Sequence, residues 1–234
     1  MNENSTAGTD TSAAGAAAGA AEALRVWPNL ALERLGAQVV SASDDFFGAK
    51  ERLIGEHVPF FLPEKFDDAG KWVDGWESRR KREAGHDHCV VQLGADALIY
   101  AVDIDTAFFT GNYPHAASLE ASRDGTTWQT VIAATPLLGD SHHVLALSDA
   151  GPWRALRLHI FPDGGVARLR VHGRFIASGG AGAGQDAQGR IDLTGIMSGG
   201  RVVGRAVGAV SGQRAAPVRG LDLDRWADRA ETAS

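Results

Sequence analysis

The clearest signal in this chain is an alternation of apolar and polar positions that begins near residue 89. Cys89, Val91 and Leu93 alternate with Val90 and Gln92, and Gly94 ends the run. In the next run Leu98, Tyr100, Val102 and Ile104 fall on one face, and Ile99, Ala101, Asp103 and Asp105 on the other. Shorter runs follow near residues 116–122, 129–134, 142–148, 154–161 and 166–175. In the last of these Ala167, Leu169 and Val171 alternate with Arg168, Arg170 and His172. Turn signals lie between the runs: Asp124-Gly125, Asp149-Ala150-Gly151-Pro152 and Asp163-Gly164-Gly165. About seven short strands, spaced about a dozen residues apart, predict an all-β jelly roll or β-sandwich. Helix is scarce, with single turns expected near 28–35 and 49–54. No helical crossover separates the strands and no G-x-G-x-x-G follows one, which excludes a dinucleotide-binding α/β fold.

Composition divides the 234 residues into segments. Residues 1–23 are Ala, Gly, Ser and Thr with nothing large to bury, so a disordered leader is expected there. Residues 24–177 carry nearly all the aromatics and form the expected domain. Ser178-Gly179-Gly180-Ala181-Gly182-Ala183-Gly184 opens a flexible linker over 178–190, and 191–234 is poor in large apolar residues. That last segment is expected to be disordered.

The net charge is −6, which supplies no basic field for nucleic acid or an anionic membrane. No stretch approaches the roughly 20 apolar residues of a membrane helix. Cys89 is the single cysteine, so a disulfide framework and a Cys-based zinc site are excluded. The first 24 residues hold no Lys or Arg, unlike a secretory signal or a mitochondrial presequence, and a cytoplasmic location is expected.

Four segments carry polar residues that a bare sandwich does not need. Ser43-Asp44-Asp45-Phe46-Phe47-Gly48 follows a Val-Val run, and its aspartates suit either a helix cap or a cation. Asp74-Gly75 is a turn signal that displays Trp76, Glu77 and the cations Arg79-Arg80-Lys81-Arg82. Those cations read as an anion clamp, because a guanidinium forks onto a carboxylate, or as a solvated charge run. His86-Asp87-His88 suits a metal, an acid–base pair or a structural cap, and two His alone supply too few ligands for a metal. Asp103 and Asp105 share one strand face, an arrangement that is costly unless they meet water, a cation or a positive partner. They lead into Thr106-Ala107-Phe108-Phe109-Thr110-Gly111-Asn112-Tyr113-Pro114, a loop rich in hydrogen-bonding groups.

Taken in order, Asn29-Leu30-Ala31, Ser43 to Gly48, Asp74 to Arg80, Gly85-His86-Asp87 and Asp103 to Pro114 resemble the allantoicase family. The resemblance runs over roughly residues 28–175. It implies a hydrolase of purine catabolism that converts allantoate and water to ureidoglycolate and urea. It also implies a jelly roll like galactose-binding and discoidin-type domains, two repeats in tandem, and assembly as a homo-oligomer. Acid–base chemistry then falls to Glu77, His86, Asp103 and Asp105. Contacts to substrate fall to Asp74, Trp76, Arg79, Arg80, Asp87, Thr110 and Asn112, with an arginine on the carboxylate. A divalent cation such as Mn²⁺ stays open.

After the linker, Gly199-Gly200-Arg201-Val202-Val203 resembles Gly36-Ala37-Gln38-Val39-Val40, the opening of the first repeat. The Ser-Asp and aromatic-Gly segment does not follow, so 191–234 is expected to be the remnant of a second repeat. A single jelly roll that binds a ligand or partner without turnover is the competing reading. An inactive remnant that self-associates is another.

Overall fold

A computed structural model describes residues 8–176. Its elements are α1 (Gly8–Val26), β1 (Gln38–Ala42), β2 (Phe66–Asp67), β3 (Gly70–Lys71), β4 (Trp76–Glu77), β5 (Asp87–Asp105), β6 (Ala116–Ser122), β7 (Gln129–Pro136), β8 (His142–Ala146), β9 (Trp153–Phe161), β10 (Gly165–Val166) and β11 (Arg168–Phe175). Single 3-10 turns at Glu33–Leu35 and Lys50–Ile54 stand where the two helical turns are expected.

The alternating runs at 89–94 and 98–105 are one strand, the 19-residue β5. Its first half pairs with β1 and β9, and its second half with β11 and β8. The first layer runs β1-β5-β9-β6-β7, and the second is built on the far half of β5. The strand turns from one layer into the other at Gly94, where a Cβ would collide with the Leu35 carbonyl oxygen. The pairing with β9 slips at the same place, between Gln92 and Ala97. Leu93, Ile99, Leu119, Leu156, Leu158, Ile160 and Leu169 fill the core. Each contributes about 1.5–3 kcal/mol by leaving water. This is the expected all-β jelly roll.

Two expectations need correction. The face assignment on β5 holds from Ala101 onward and fails before it, because β11 slips there: His172 pairs with Ala101, and Gly173 pairs with Ile99. The extra residue is a β-bulge, which reverses the side-chain parity. Ile99 therefore shares the core with Val102 and Ile104, while Ala101, Asp103 and Asp105 take the outer face.

The leader is the second correction. Over its described part, Gly8–Val26 is a helix, not a disordered segment; residues 1–7 lie outside the described residues. Alanine is the best helix former, and small side chains allow a close approach to a sheet. Ala20 and Ala23 pack on Ala101, ringed by Leu24, Trp27, Tyr100 and Val144, with Trp27 and Tyr100 rings 5.0 Å apart. Composition showed nothing large to bury; the helix needs only a small patch prepared by β5. Among the described residues no helix is long and apolar enough to cross a membrane. The expected linker and second-repeat remnant lie outside the described residues.

Candidate active site

The segment Asp74-Gly75-Trp76-Glu77 is drawn onto the end of the sandwich by β4, whose Glu77 pairs with Gly165 of β10 and bridges to Gly48. Glu77 opens into a cleft of about 300 Å³ that also meets Arg80, Lys81, Asn112, Tyr113, His115 and Asp163. Asn112 Nδ2 donates to Glu77 Oε1 at 2.6 Å. Burial pushes the Glu77 carboxyl above its ordinary value, and nearby Asp163 adds to this against the opposing Asn112 hydrogen bond. Lys81 is positioned twice: its backbone N–H donates to Asp163 Oδ2 and its Nζ to Asp87 Oδ1, both at 2.7 Å.

Several expected substrate contacts lie elsewhere. Trp76 is fully buried and its Nε1–H donates to the Asp44 carbonyl at 2.8 Å, so it is part of the core and cannot touch substrate. Asp74 is also buried. Arg168 Nη2 donates to its Oδ2 at 2.7 Å, Phe60 N–H donates to the same oxygen at 3.1 Å, and His57 Nε2 lies against both oxygens. These contacts give Asp74 a structural role at the junction of the Arg168 strand and the 57–60 loop, outside the cleft. Arg79 is turned from the cleft by Asp44, which accepts from its Nε at 2.6 Å, and its guanidinium lies over Phe46. Burial would raise the Asp44 carboxyl, but the Phe46 N–H and Arg79 outweigh it and hold it low. Asp87 is buried and faces Ser43 and Lys81. Thr110 is exposed on the loop after β5.

Asp103 and Asp105 sit on the outer face of the second layer, both buried. Asp103 Oδ2 lies 2.8 Å from His142 Nδ1, while its Oδ1 is buried without a hydrogen-bond partner among the described residues. Burial raises the Asp105 carboxyl, against the 2.8 Å hydrogen bond from the Ala107 N–H. Burial alone would lower His142, but the hydrogen bond and charge of Asp103 outweigh it and raise the imidazole. His86 lies apart from both groups, with its Nε2 2.9 Å from His159 Nδ1.

The sequence-predicted residues thus divide. Glu77, Arg80 and Asn112 meet in the cleft, Asp103 and Asp105 face another surface, and Asp74 and Trp76 are internal. Lys81, Asp163 and Arg168 escaped individual notice. Lys81 is one cation in a run of four, Asp163 stands in a turn signal, and Arg168 is one polar position in the alternation over 166–175. Among the described residues no three His, Cys, Asp or Glu side chains are gathered into a closed metal-ligand set.

Comparisons with known proteins bear on the family of the chain. A family model described as "Allantoicase repeat" matches residues 28–176. A protein named "Probable allantoicase" from Acinetobacter baumannii (strain ACICU) is 47% identical over 188 residues, covering 78% of this chain and 54% of the relative. "Probable allantoicase 1" from Burkholderia mallei is 48% identical over 191 residues, covering 79% and 56%. The crystal structure of an allantoicase from Saccharomyces cerevisiae superposes with a TM-score of 0.58 at 29% identity, covering 69% of this chain and 54% of that one. The chain therefore spans about half the length of the curated relatives it matches.

Proposed function

The chain belongs to the allantoicase family, and we propose that it hydrolyses allantoate to ureidoglycolate and urea in the cleft around Glu77. The observation that carries this reading is a cleft of about 300 Å³ lined by Glu77, which accepts from Asn112, together with Arg80 and Lys81. That volume is at the small end of ligand clefts, which run from about 300 to 1,000 Å³. Allantoate is a carboxylate whose α-carbon bears two ureido groups, and it needs both features.

Arg80 and Lys81 take the substrate carboxylate, Arg80 as a fork and Lys81 as a point charge held by Asp87. Asn112 orients Glu77 and offers its remaining amide hydrogen to a ureido oxygen. Glu77, kept protonated into a higher pH range by its burial, gives its proton to the departing ureido nitrogen. The carbon–nitrogen bond breaks, water supplies the new carbon–oxygen bond, and the proton lost by that water returns to Glu77. Urea and ureidoglycolate leave with atoms balanced. A cytoplasmic location and assembly as a homo-oligomer belong to the same reading.

A second reading places the acid–base chemistry at Asp103, Asp105 and His142. The unpartnered Asp103 Oδ1 favours it, because a buried carboxylate oxygen without a donor suits a ligand amide.

The test is urea release from allantoate by the full chain, with and without Mn²⁺. Loss in Glu77→Gln and Arg80→Ala, with Asp103→Asn still active, supports the cleft. The reverse pattern supports the outer face. Allantoate binding by a folded chain without any urea release would overturn hydrolysis and leave a binding module.

A further inference from the structure

The turn Asp163-Gly164-Gly165 carries into the cleft a second carboxylate, one with no part in the proton transfers assigned to Glu77. Its glycines are what bring it there. Gly164 has a φ of +131°, which L side chains rarely adopt, and a Cβ on it would stand 2.6 Å from the Asn112 carbonyl oxygen. A Cβ on Gly165 would overlap the Phe109 ring. The loop that holds Asn112 therefore closes directly onto the turn, and the Gly165 N–H donates to the Asn112 carbonyl at 2.8 Å.

Pairing with β4 fixes where Asp163 stands. Glu77 pairs with Gly165, and the ladder runs one step further, with the Ser78 N–H donating to the Gly164 carbonyl at 3.1 Å. Asp163 is thus the diagonal neighbour of Glu77 across the two strands, at a backbone separation of about 7–8 Å. Diagonal neighbours share a face, and both residues line the cleft. The Lys81 N–H donates to Asp163 Oδ2 at 2.7 Å and so orients the carboxyl. Asp163 Oδ1 has no protein partner among the described residues, and the side chain is half-buried. His115 lines the same cleft, but it is exposed and no hydrogen bond among the described residues holds its ring.

Hydrolysis of a carbon–nitrogen bond needs a proton delivered to the leaving nitrogen and a proton removed from water. One carboxyl cannot hold the first and accept the second at the same moment. We propose, resting on the assignment of the reaction to this cleft with Glu77 as its acid, that Asp163 is a second catalytic residue, the base that takes the proton of the attacking water at Oδ1. The step balances. The water O–H bond breaks toward Asp163 as its oxygen bonds to the α-carbon, and the carbon–nitrogen bond breaks as Glu77 protonates the ureido nitrogen. Asp163 then carries one proton and Glu77 has lost one. The proton crosses the cleft back to Glu77 after urea has left, and no electrons are gained or lost.

The experiment measures urea release from allantoate by the full chain and its variants, each verified as folded by circular dichroism. Asp163→Asn keeps an oxygen for the Lys81 N–H and removes only the proton acceptor. Its kcat is expected to fall by about 100-fold while KM stays within about 2-fold. Asp163→Ala is expected to recover activity when formate is added, a rescue that a carboxylate with a merely structural role would not show. An Asp163→Asn kcat close to that of the parent chain overturns the base, as does a loss confined to KM or a folded Asp163→Ala that formate does not rescue. Glu77→Gln separates the two conclusions. If it abolishes urea release while Asp163→Asn does not, the cleft stands and the base falls. If the parent chain releases no urea, or Glu77→Gln releases it unimpaired, the cleft falls and takes the base with it.

Discussion

Asp74 and Glu77 are three residues apart on one turn, and the fold gives them opposite fates. Asp74 is sealed inside, where Arg168, the Phe60 N–H and His57 surround its oxygens. Arg168 is itself fully buried and donates further to the backbone carbonyls of Asp74, Arg52, Ala167 and His57. Glu77 has one side-chain partner among the described residues, Asn112, and open space beyond it. A carboxylate held by a buried guanidinium, a backbone N–H and an imidazole holds loops together. A carboxylate with one amide and a raised pKa can still exchange a proton. Proximity in sequence to a presumed site therefore says little about role; what counts is how many donors converge.

Breaking the sealed pair should have the largest effect on stability. Arg168→Ala leaves Asp74 buried without its ion partner and is expected to cost about 3–5 kcal/mol. Chemical denaturation measures it, and a loss under 1 kcal/mol would show that water reaches Asp74. Glu77→Gln should do the reverse, lowering kcat for urea release by about 100-fold or more without destabilising the fold.

The Glu77–Asn112 bond sharpens the contrast through pH. Asn112 lowers the Glu77 pKa, so Asn112→Ala should raise it further and move the limb of the rate profile assigned to Glu77 to higher pH. The stability consequence has a definite sign. Because the folded pKa lies above the unfolded one, protonated Glu77 favours the fold at low pH. That contribution fades as pH rises through the folded value. Glu77→Gln should remove this fall.

The smallest effect belongs to Arg79 and Asp44. Their separation of 2.6 Å matches that of the buried pair, but Arg79 is largely solvated. Arg79→Ala should cost about 0–1 kcal/mol. Asp44 is held low in the fold, so its contribution is present above its unfolded pKa and is lost as pH falls. The variant should lose less stability on acidification than the parent chain.

Alternation and turn residues were enough to place the strands from β5 onward, with β5 itself read as two runs, since a half-buried strand must carry apolar groups at every second position; β1 to β4 were not read. Ordered motifs were enough to indicate its family. Both are local properties. The bulge at Tyr100 was not legible, because it arises from the pairing with β11, and it turned Ile99 into the core and Tyr100 to the outer face. The helix over the alanine-rich leader depended on a patch at Ala101 that β5 supplies from a distant position. Arg168 showed only as a polar position on an alternating strand. Its burial follows from loops more than a hundred residues upstream, whose carbonyls converge on it. Sequence by itself determined which residues carry charge and which segments extend. Only the tertiary structure decided which charges are saturated, which face solvent, and which histidines meet across strands, because those outcomes depend on donors and walls contributed by other parts of the chain.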